Sequence, residues 1–370
     1  MALTLNDEQR EFRSAVVEVL DKAADIKRVR AVQDANDGYD TELWSALVEL
    51  GLPGVLIGEE HGGFGLGLAE AALALEELGR RVAPAPYLSL VIATAAIAKS
   101  GDDAVAREVL PKIAAGELHV APAFTEGPGA WIPAKPATTA TRDAAGDGWT
   151  VSGTKSFVLD GDATGAFLVL AAADEGEGLF LVQGDATGVT RTKLDLLSRS
   201  VFAASVTFEN APARRLAVAD SAALLGYVDA VASTAVAAHL YGGFSKALEL
   251  AVQYAKDRYQ FGRPIGSFEG VKFPLADLET DRELALSLLR QAVWSADHEP
   301  ESFPVAALTA VVKLQSIALE GAIRLVTTLG GIGFTWEHDA HLYQKQAATV
   351  RLLLGTPSER SERLATALGI

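Results

Sequence analysis

RYQFGRPIGSFEGVKFPLADLE, residues 258–279, and LGGIGFTWEHDAHLYQKQAA, residues 329–348, are the two stretches on which the reading of this chain turns. Long helical patterns surround them. Apolar periodicity predicts helices over 222–257, 268–297 and 305–329, with shorter ones over 338–353 and 358–368. The connections are short, as an antiparallel helix bundle requires.

Upstream of the bundle the pattern differs. Segments 138–142, 149–153, 155–159, 166–173, 179–183 and 204–208 are short and rich in Val, Thr and Phe. DAAGDG, LDGDATG and QGDATG punctuate them as turns. Several short strands predict a barrel or sandwich, and no glycine-rich strand-to-helix turn supports a dinucleotide-binding Rossmann unit. The first third is helical again. Asn6 followed by Gln9 reads as a capping box before the stripe Phe12, Val16, Val19 and Leu20. Further helices are expected over 41–50, 68–80, 88–99 and 103–115. The predicted organisation is α+β: an N-terminal helical domain (1–118), a central β-barrel (119–215) and a C-terminal helix bundle (216–370).

Composition narrows the function. A net charge of -16 argues against nucleic acid, whose phosphates would repel such a surface. The absence of cysteine excludes disulfides, thiolate nucleophiles and Cys-based zinc sites. The charged N-terminus MALTLNDEQREF is not a secretory signal, so a cytoplasmic location is expected. No membrane span is expected either: the most apolar candidate, 305–329, carries Lys313, Glu320 and Arg324.

With the order helical, β, helical, the two quoted stretches resemble signature segments of the acyl-CoA dehydrogenase family. FTEGPG and VSGTKSFVLDG fall where that family has its flavin loop, and the resemblance covers essentially the whole chain. It implies FAD as cofactor and oxidation of an acyl-CoA thioester, with an electron-transfer flavoprotein as the usual acceptor. A carboxylate removes the α proton while a hydride leaves the β carbon. It also implies that one FAD lies between two subunits. Arg258 would face its pyrophosphate, Gln260 and Phe261 would line it, and Gly330 and Gly331 would admit the dinucleotide close to the backbone. Without the neighbouring motifs, Arg258 reads only as a cation at a helix C-terminus.

The chain departs from the family where the chemistry should be. The usual Glu-Gly-Thr loop is Leu354-Gly355-Thr356, and the alternative base position on the first bundle helix is Ala232. No catalytic residue is therefore assigned. Asp229 is the nearest acidic side chain, with a solvated or capping carboxylate as its ordinary reading. Leu159, Trp131 and Ser358 replace polar groups of the flavin pocket, whereas Thr125, Phe157 and Thr356 keep the pattern. Glu269 and Thr327 replace two glutamines on the other side. A carboxylate about 4 Å from a phosphate would cost roughly 1–4 kcal/mol.

The combination resembles the base-lacking subunits of α2β2 acyl-CoA dehydrogenases of actinobacterial sterol side-chain degradation, in which a homologous catalytic subunit is completed by its partner. Two other arrangements stay open: a self-sufficient homotetrameric dehydrogenase or oxidase with a displaced base, and a non-catalytic interaction subunit. His338 and His341 in WEHDAH have metal-like spacing on a predicted helix, but the family carries no metal there and none is assigned. His239, among Ala and Leu, reads as a satisfied bundle histidine.

Overall fold

The computed structural model describes residues 4–36, 38–127, 130–143 and 148–370. Two of the sequence motifs fall partly outside these residues: positions 128 and 129 of FTEGPG, and 144–147 of DAAGDG.

The described residues open with helices α1 (Asp7–Ala23), α2 (Ile26–Ala35), α3 (Thr41–Glu49), α4 (Leu68–Arg80), α5 (Tyr87–Lys99) and α6 (Asp103–Ala114). Asn6 caps α1 as expected: its Oδ1 accepts from the Gln9 N–H at 2.7 Å, and Gln9 Oε1 accepts the Asn6 N–H at 3.3 Å. The stripe then buries Val16 and Leu20 completely. Helix α2 was not expected. Asp25 starts it by accepting from the Lys27 and Arg28 N–H groups, at 2.8 and 3.2 Å.

Strands follow: β1 (Val120–Ala123), β2 (Thr139–Arg142), β3 (Trp149–Leu159), β4 (Ala166–Ala173), β5 (Gly176–Gln183), β6 (Val189–Lys193) and β7 (Ala203–Arg215). Pairing runs β4–β2–β3–β7–β5 and returns to β4, so the sheet closes on itself as a barrel. Strand β1 adds in parallel to β4, and β6 pairs antiparallel with β7. The interior is apolar, with Phe167, Val182, Phe180, Val206 and Phe208 all buried. The Phe167 and Phe208 rings meet edge to face at 5.7 Å. The two strands expected over 149–159 are one. It shifts register against β7 between Val151 and Gly153 and again between Lys155 and Val158, which breaks the alternation in sequence.

The last third contains α7 (Ser221–Asp257), a tight hairpin of β8 (Tyr259–Gln260) and β9 (Arg263–Pro264), α8 (Glu269–His298), α9 (Phe303–Leu329), α10 (Ala340–Val350) and α11 (Pro357–Ala367). Helix α7 is the axis of the molecule and packs on α4, α5, α8, α9 and α10. Its approach to α4 is backbone to backbone. A Cβ on Gly242 would sit 1.8 Å from the Glu76 carbonyl oxygen, so no larger residue fits there. By length and composition, α7 and the stretch Phe303–Phe334 are apolar enough to cross a membrane, contrary to the sequence expectation. In their most apolar windows 67% and 56% of residues are already buried inside the protein, which is how core helices pass this test.

Candidate active site

The two positions at which a base was sought lie in one buried corner. Ala232 is fully buried on α7, and Leu354 is 3% exposed in the turn between α10 and α11. Arg360 of α11 joins them. Its Nε donates to the Leu354 carbonyl at 2.8 Å, and its Nη1 donates to Ser233 Oγ at 3.1 Å. The same Nη1 lies 3.0 Å from Asp229 Oδ1. Arg363 adds a second cation, with Nη2 2.7 Å from Asp229 Oδ2. Trp131 completes the cluster by donating its indole N–H to Asp229 Oδ1 at 2.6 Å.

Asp229 is thus neither solvated nor a cap, which corrects the sequence reading. Burial alone would raise its carboxyl, but Arg360, Arg363 and the Trp131 N–H together hold it below the usual carboxylate range. An ionised carboxylate fastened to two guanidiniums is a poor proton acceptor and is not presented to a substrate.

The loop that carries Trp131 is anchored to β3. The buried Lys155 ammonium lies 2.6 Å from Glu126 and donates to the Phe124 carbonyl at 3.2 Å. Ser156 N–H donates to the Thr125 carbonyl at 2.8 Å. Trp131 packs on Phe124 with ring centroids 5.3 Å apart and is 5% exposed. Its ring is inside the protein, not at the edge of an open cleft. Leu159 lines a separate cavity of about 20 Å³ with Leu75, Leu88, Asp160, Ser200, Val201 and His239. That is room for about one water, not for an acyl chain.

The other set of predicted residues is on the outside. Arg258 caps α7 through its backbone N–H to the Tyr254 carbonyl at 2.8 Å, and its side chain has no ion-pair partner among the described residues. Gln260 and Phe261 form the exposed tip of the hairpin, with Phe261 at 91% exposure. Gly330 ends α9 with φ of +66°, and a Cβ at Gly330 or Gly331 would meet nothing within 4 Å. The hairpin and the glycine segment are not joined by a hydrogen bond or ion pair among the described residues. Both segments lie on the outside of the chain.

The histidines separate cleanly. No group of three metal-binding side chains occurs among the described residues. His338 lies before α10, not on it, and its Nδ1 accepts the Ala340 N–H at 3.0 Å. His119, Ser89 and Asp160 meet, but not as a hydrolytic triad. Ser89 lies between the other two, His119 Nδ1 faces Thr164 Oγ1 at 2.9 Å, and Ser89 is completely buried.

His239 is buried, but its Nδ1 has no partner, so it is not the satisfied histidine the sequence suggested. Burial pushes its pKa down to about 4 from an ordinary 6.5. A depressed folded-state pKa contributes stability that is complete above the unfolded value and lost as pH falls through the folded one. His239 should therefore cost on the order of 3 kcal/mol between about pH 6.5 and 4. Denaturant midpoints measured across that range should fall less steeply for His239→Leu than for the unsubstituted chain; equal slopes would remove the imidazole from the account.

An N-terminal helical domain, a closed barrel and an antiparallel bundle are the arrangement of the acyl-CoA dehydrogenase class, and the chain belongs to that family. Residues 6–117 match the model for the acyl-CoA dehydrogenase N-terminal domain, and 231–368 the model for the C-terminal domain. The chain is 33% identical to acyl-CoA dehydrogenase IpdE2 of Mycolicibacterium smegmatis, over 97% of this chain and 98% of that protein. Among solved structures it is similar to a variant of the Tcur3481-Tcur3483 steroid ACAD, with a TM-score of 0.91 and 35% identity over 99% of each chain. It is also similar to the ChsE4-ChsE5 complex from Mycobacterium tuberculosis, with a TM-score of 0.88 and 26% identity, covering 100% of this chain and 99% of that one.

Proposed function

We propose that this chain is the base-lacking subunit of a heteromeric, FAD-dependent acyl-CoA dehydrogenase. It pairs with a homologous catalytic subunit in an α2β2 tetramer and completes that subunit's FAD site. The observation that carries the reading is the closed corner: Leu354 and Ala232 are buried and apolar, and the nearest carboxylate, Asp229, is engaged by Arg360, Arg363 and Trp131.

The two sides differ in their fit to the cofactor. On the chain's own side, Leu159 and Trp131 are buried, and the Trp131 indole N–H is already given to Asp229. On the outer side, Arg258 offers an unpaired guanidinium for phosphate oxygens, Gln260 an exposed amide, and Gly330 and Gly331 a backbone with open space above it. FAD bound across that surface would supply the hydride acceptor for the partner's reaction. This chain's part is to hold, orient and shield; the proton is taken by the partner's base. Exposed Tyr259, Phe261, Phe273 and Phe334 give the surface the apolar character of one that is covered in the assembly. A steroid side chain or another bulky CoA ester is the proposed substrate class, by likeness to the steroid enzyme. An electron-transfer flavoprotein is the proposed acceptor and the cytoplasm the proposed location.

Flavin content tests this reading. The chain purified alone should carry little FAD and oxidise no acyl-CoA, while the complex with its partner should be yellow and active. Arg258→Ala should lower the flavin content of the complex without disrupting its assembly. A stoichiometrically flavinylated, active homo-oligomer would refute the proposal.

A further inference from the structure

A second cavity, of about 480 Å³, opens between α2, residues 195–199 and α10. It shares no lining residue with the corner around Leu354 or with the hairpin. Three cations face it: Arg30, Arg199 and Lys345. Two exposed carboxylates, Asp34 and Asp195, also line it.

The cations are poorly partnered. Arg30 uses Nε on Asp339 at 2.6 Å and Nη1 on the Trp336 carbonyl at 2.7 Å, but its Nη2 is buried with no partner. Arg199 donates only to the Gln33 carbonyl, at 3.3 Å, and has no carboxylate within ion-pair distance among the described residues. Lys345 likewise has no ion pair there; its ammonium lies 4.1 Å from the Trp336 ring centroid. Burial and the nearby Arg199 push that ammonium's pKa down, with Asp34 opposing. His341 stands beside them, its ring 4.6 Å from Trp336, with both nitrogens buried and unpartnered. Burial, then Lys345 and Arg30, hold His341 at about 4, so at neutral pH the ring presents one donor and one acceptor.

Arg199 and Lys345 thus line the cavity without an ion pair among the described residues, alongside Asp34 and Asp195 and the paired Arg30. Elsewhere Arg13, Arg80, Arg81 and Arg290 each meet a carboxylate within 3.1 Å. Here Arg199 and Lys345 line a cavity, and no carboxylate of the described residues lies within ion-pair distance of either. A tetrahedral anion with several acceptor oxygens satisfies such a set of donors; an apolar ligand would leave all of them unpaired.

We propose that this cavity binds the phosphoryl group of a small molecule, with the Arg199 guanidinium and the Lys345 ammonium on its oxygens. The assignment stands on this geometry alone and is independent of the partner-subunit reading. Free phosphate, pyrophosphate and the phosphates of coenzyme A share this chemistry, and titration separates them.

The test titrates the full chain with inorganic phosphate, pyrophosphate and coenzyme A in turn, at constant ionic strength, with chloride as the blank. Tryptophan emission and thermal midpoint are read together, and Trp336→Phe identifies the reporting ring. At least one phosphate compound should bind saturably, and Arg199→Gln and Lys345→Met should each weaken it about tenfold, as loss of a charge-assisted contact does. A preference for coenzyme A over phosphate and pyrophosphate would identify the source. No saturable response to any compound at up to about 10 mM, where only affinities too weak to matter remain, would overturn the proposal. So would binding unchanged in both variants. A third result against it is loss of subunit association in those variants with no phosphate response, because the cations would then be serving a carboxylate of the partner.

Discussion

Arg360→Ala should destabilise the chain by about 3 kcal/mol, the lower end of the range for removing one partner of a buried ion pair. Arg360 is 1% exposed and ties three things together: the Leu354 carbonyl, Ser233 and Asp229. Its removal strands a buried carboxylate with Arg363 and the Trp131 N–H, and frees the turn at Leu354. Arg363→Ala is the control. That side chain is 49% exposed, so solvent screens its pair with Asp229 and the loss should be no more than about 1 kcal/mol. The effect also has a direction with pH. Asp229 is held below the ordinary carboxylate range, so the stability it contributes is present above that range and lost as pH falls through its folded-state value. The gap between Arg360→Ala and the unsubstituted chain should therefore narrow in acid. Denaturant midpoints at neutral and acidic pH measure both effects. Equal losses for the two arginines, or a gap that widens in acid, would show that the cluster is not what closes this corner.

The parts of the fold legible in sequence are those with strong local periodicity. Helix α4 and strand β4 fall on their predicted residues because an apolar stripe in one and a continuous buried run in the other leave no competing pattern. Helix α2 was missed because IKRVRAVQDA is short and half polar, and its identifying signal, the Asp25 cap, is a single residue. Strand β1 is VAPA, whose small residues and Pro122 do not read as a strand; it forms because β4 lies beside it. Strand β6 is largely exposed and so lacks alternation.

The candidate site divides in the same way. Arg258 and the glycine segment were found through motifs contiguous in sequence. Trp131, Arg360 and Arg363 were not assigned to Asp229, because 98 to 134 positions separate them from it and no local spacing encodes such a meeting. What the resemblance to the family implied there was loss: a leucine where a glutamate is usual at 354, a tryptophan where a serine is usual at 131. The structure shows that the replacements pack together, Trp131 on Asp229 and Asp229 on the arginine that holds the Leu354 turn.

That packing bears on the attempt to restore chemistry. Leu354→Glu should not produce an active subunit. A positioned general base contributes about 10² to 10⁴ in rate, but only when cofactor and substrate are within reach of it. Here the new carboxylate would replace a side chain that is 3% exposed, on a turn whose carbonyl Arg360 already holds. It would compete with Asp229 for that arginine or stay unpaired, and an unpaired buried carboxylate raises its pKa and costs stability. In the same corner, Trp131 donates to Asp229 and is packed on Phe124, and a separate cavity beside Leu159 holds only about 20 Å³. Neither an isoalloxazine ring nor an acyl chain enters without repacking several side chains. The measurement is acyl-CoA-dependent dye reduction by the variant alone, with FAD added to saturation. No turnover above the unsubstituted chain is expected. Robust turnover would mean that the pocket was intact apart from one residue, and that Trp131 and the ion-pair cluster yield readily to a flavin.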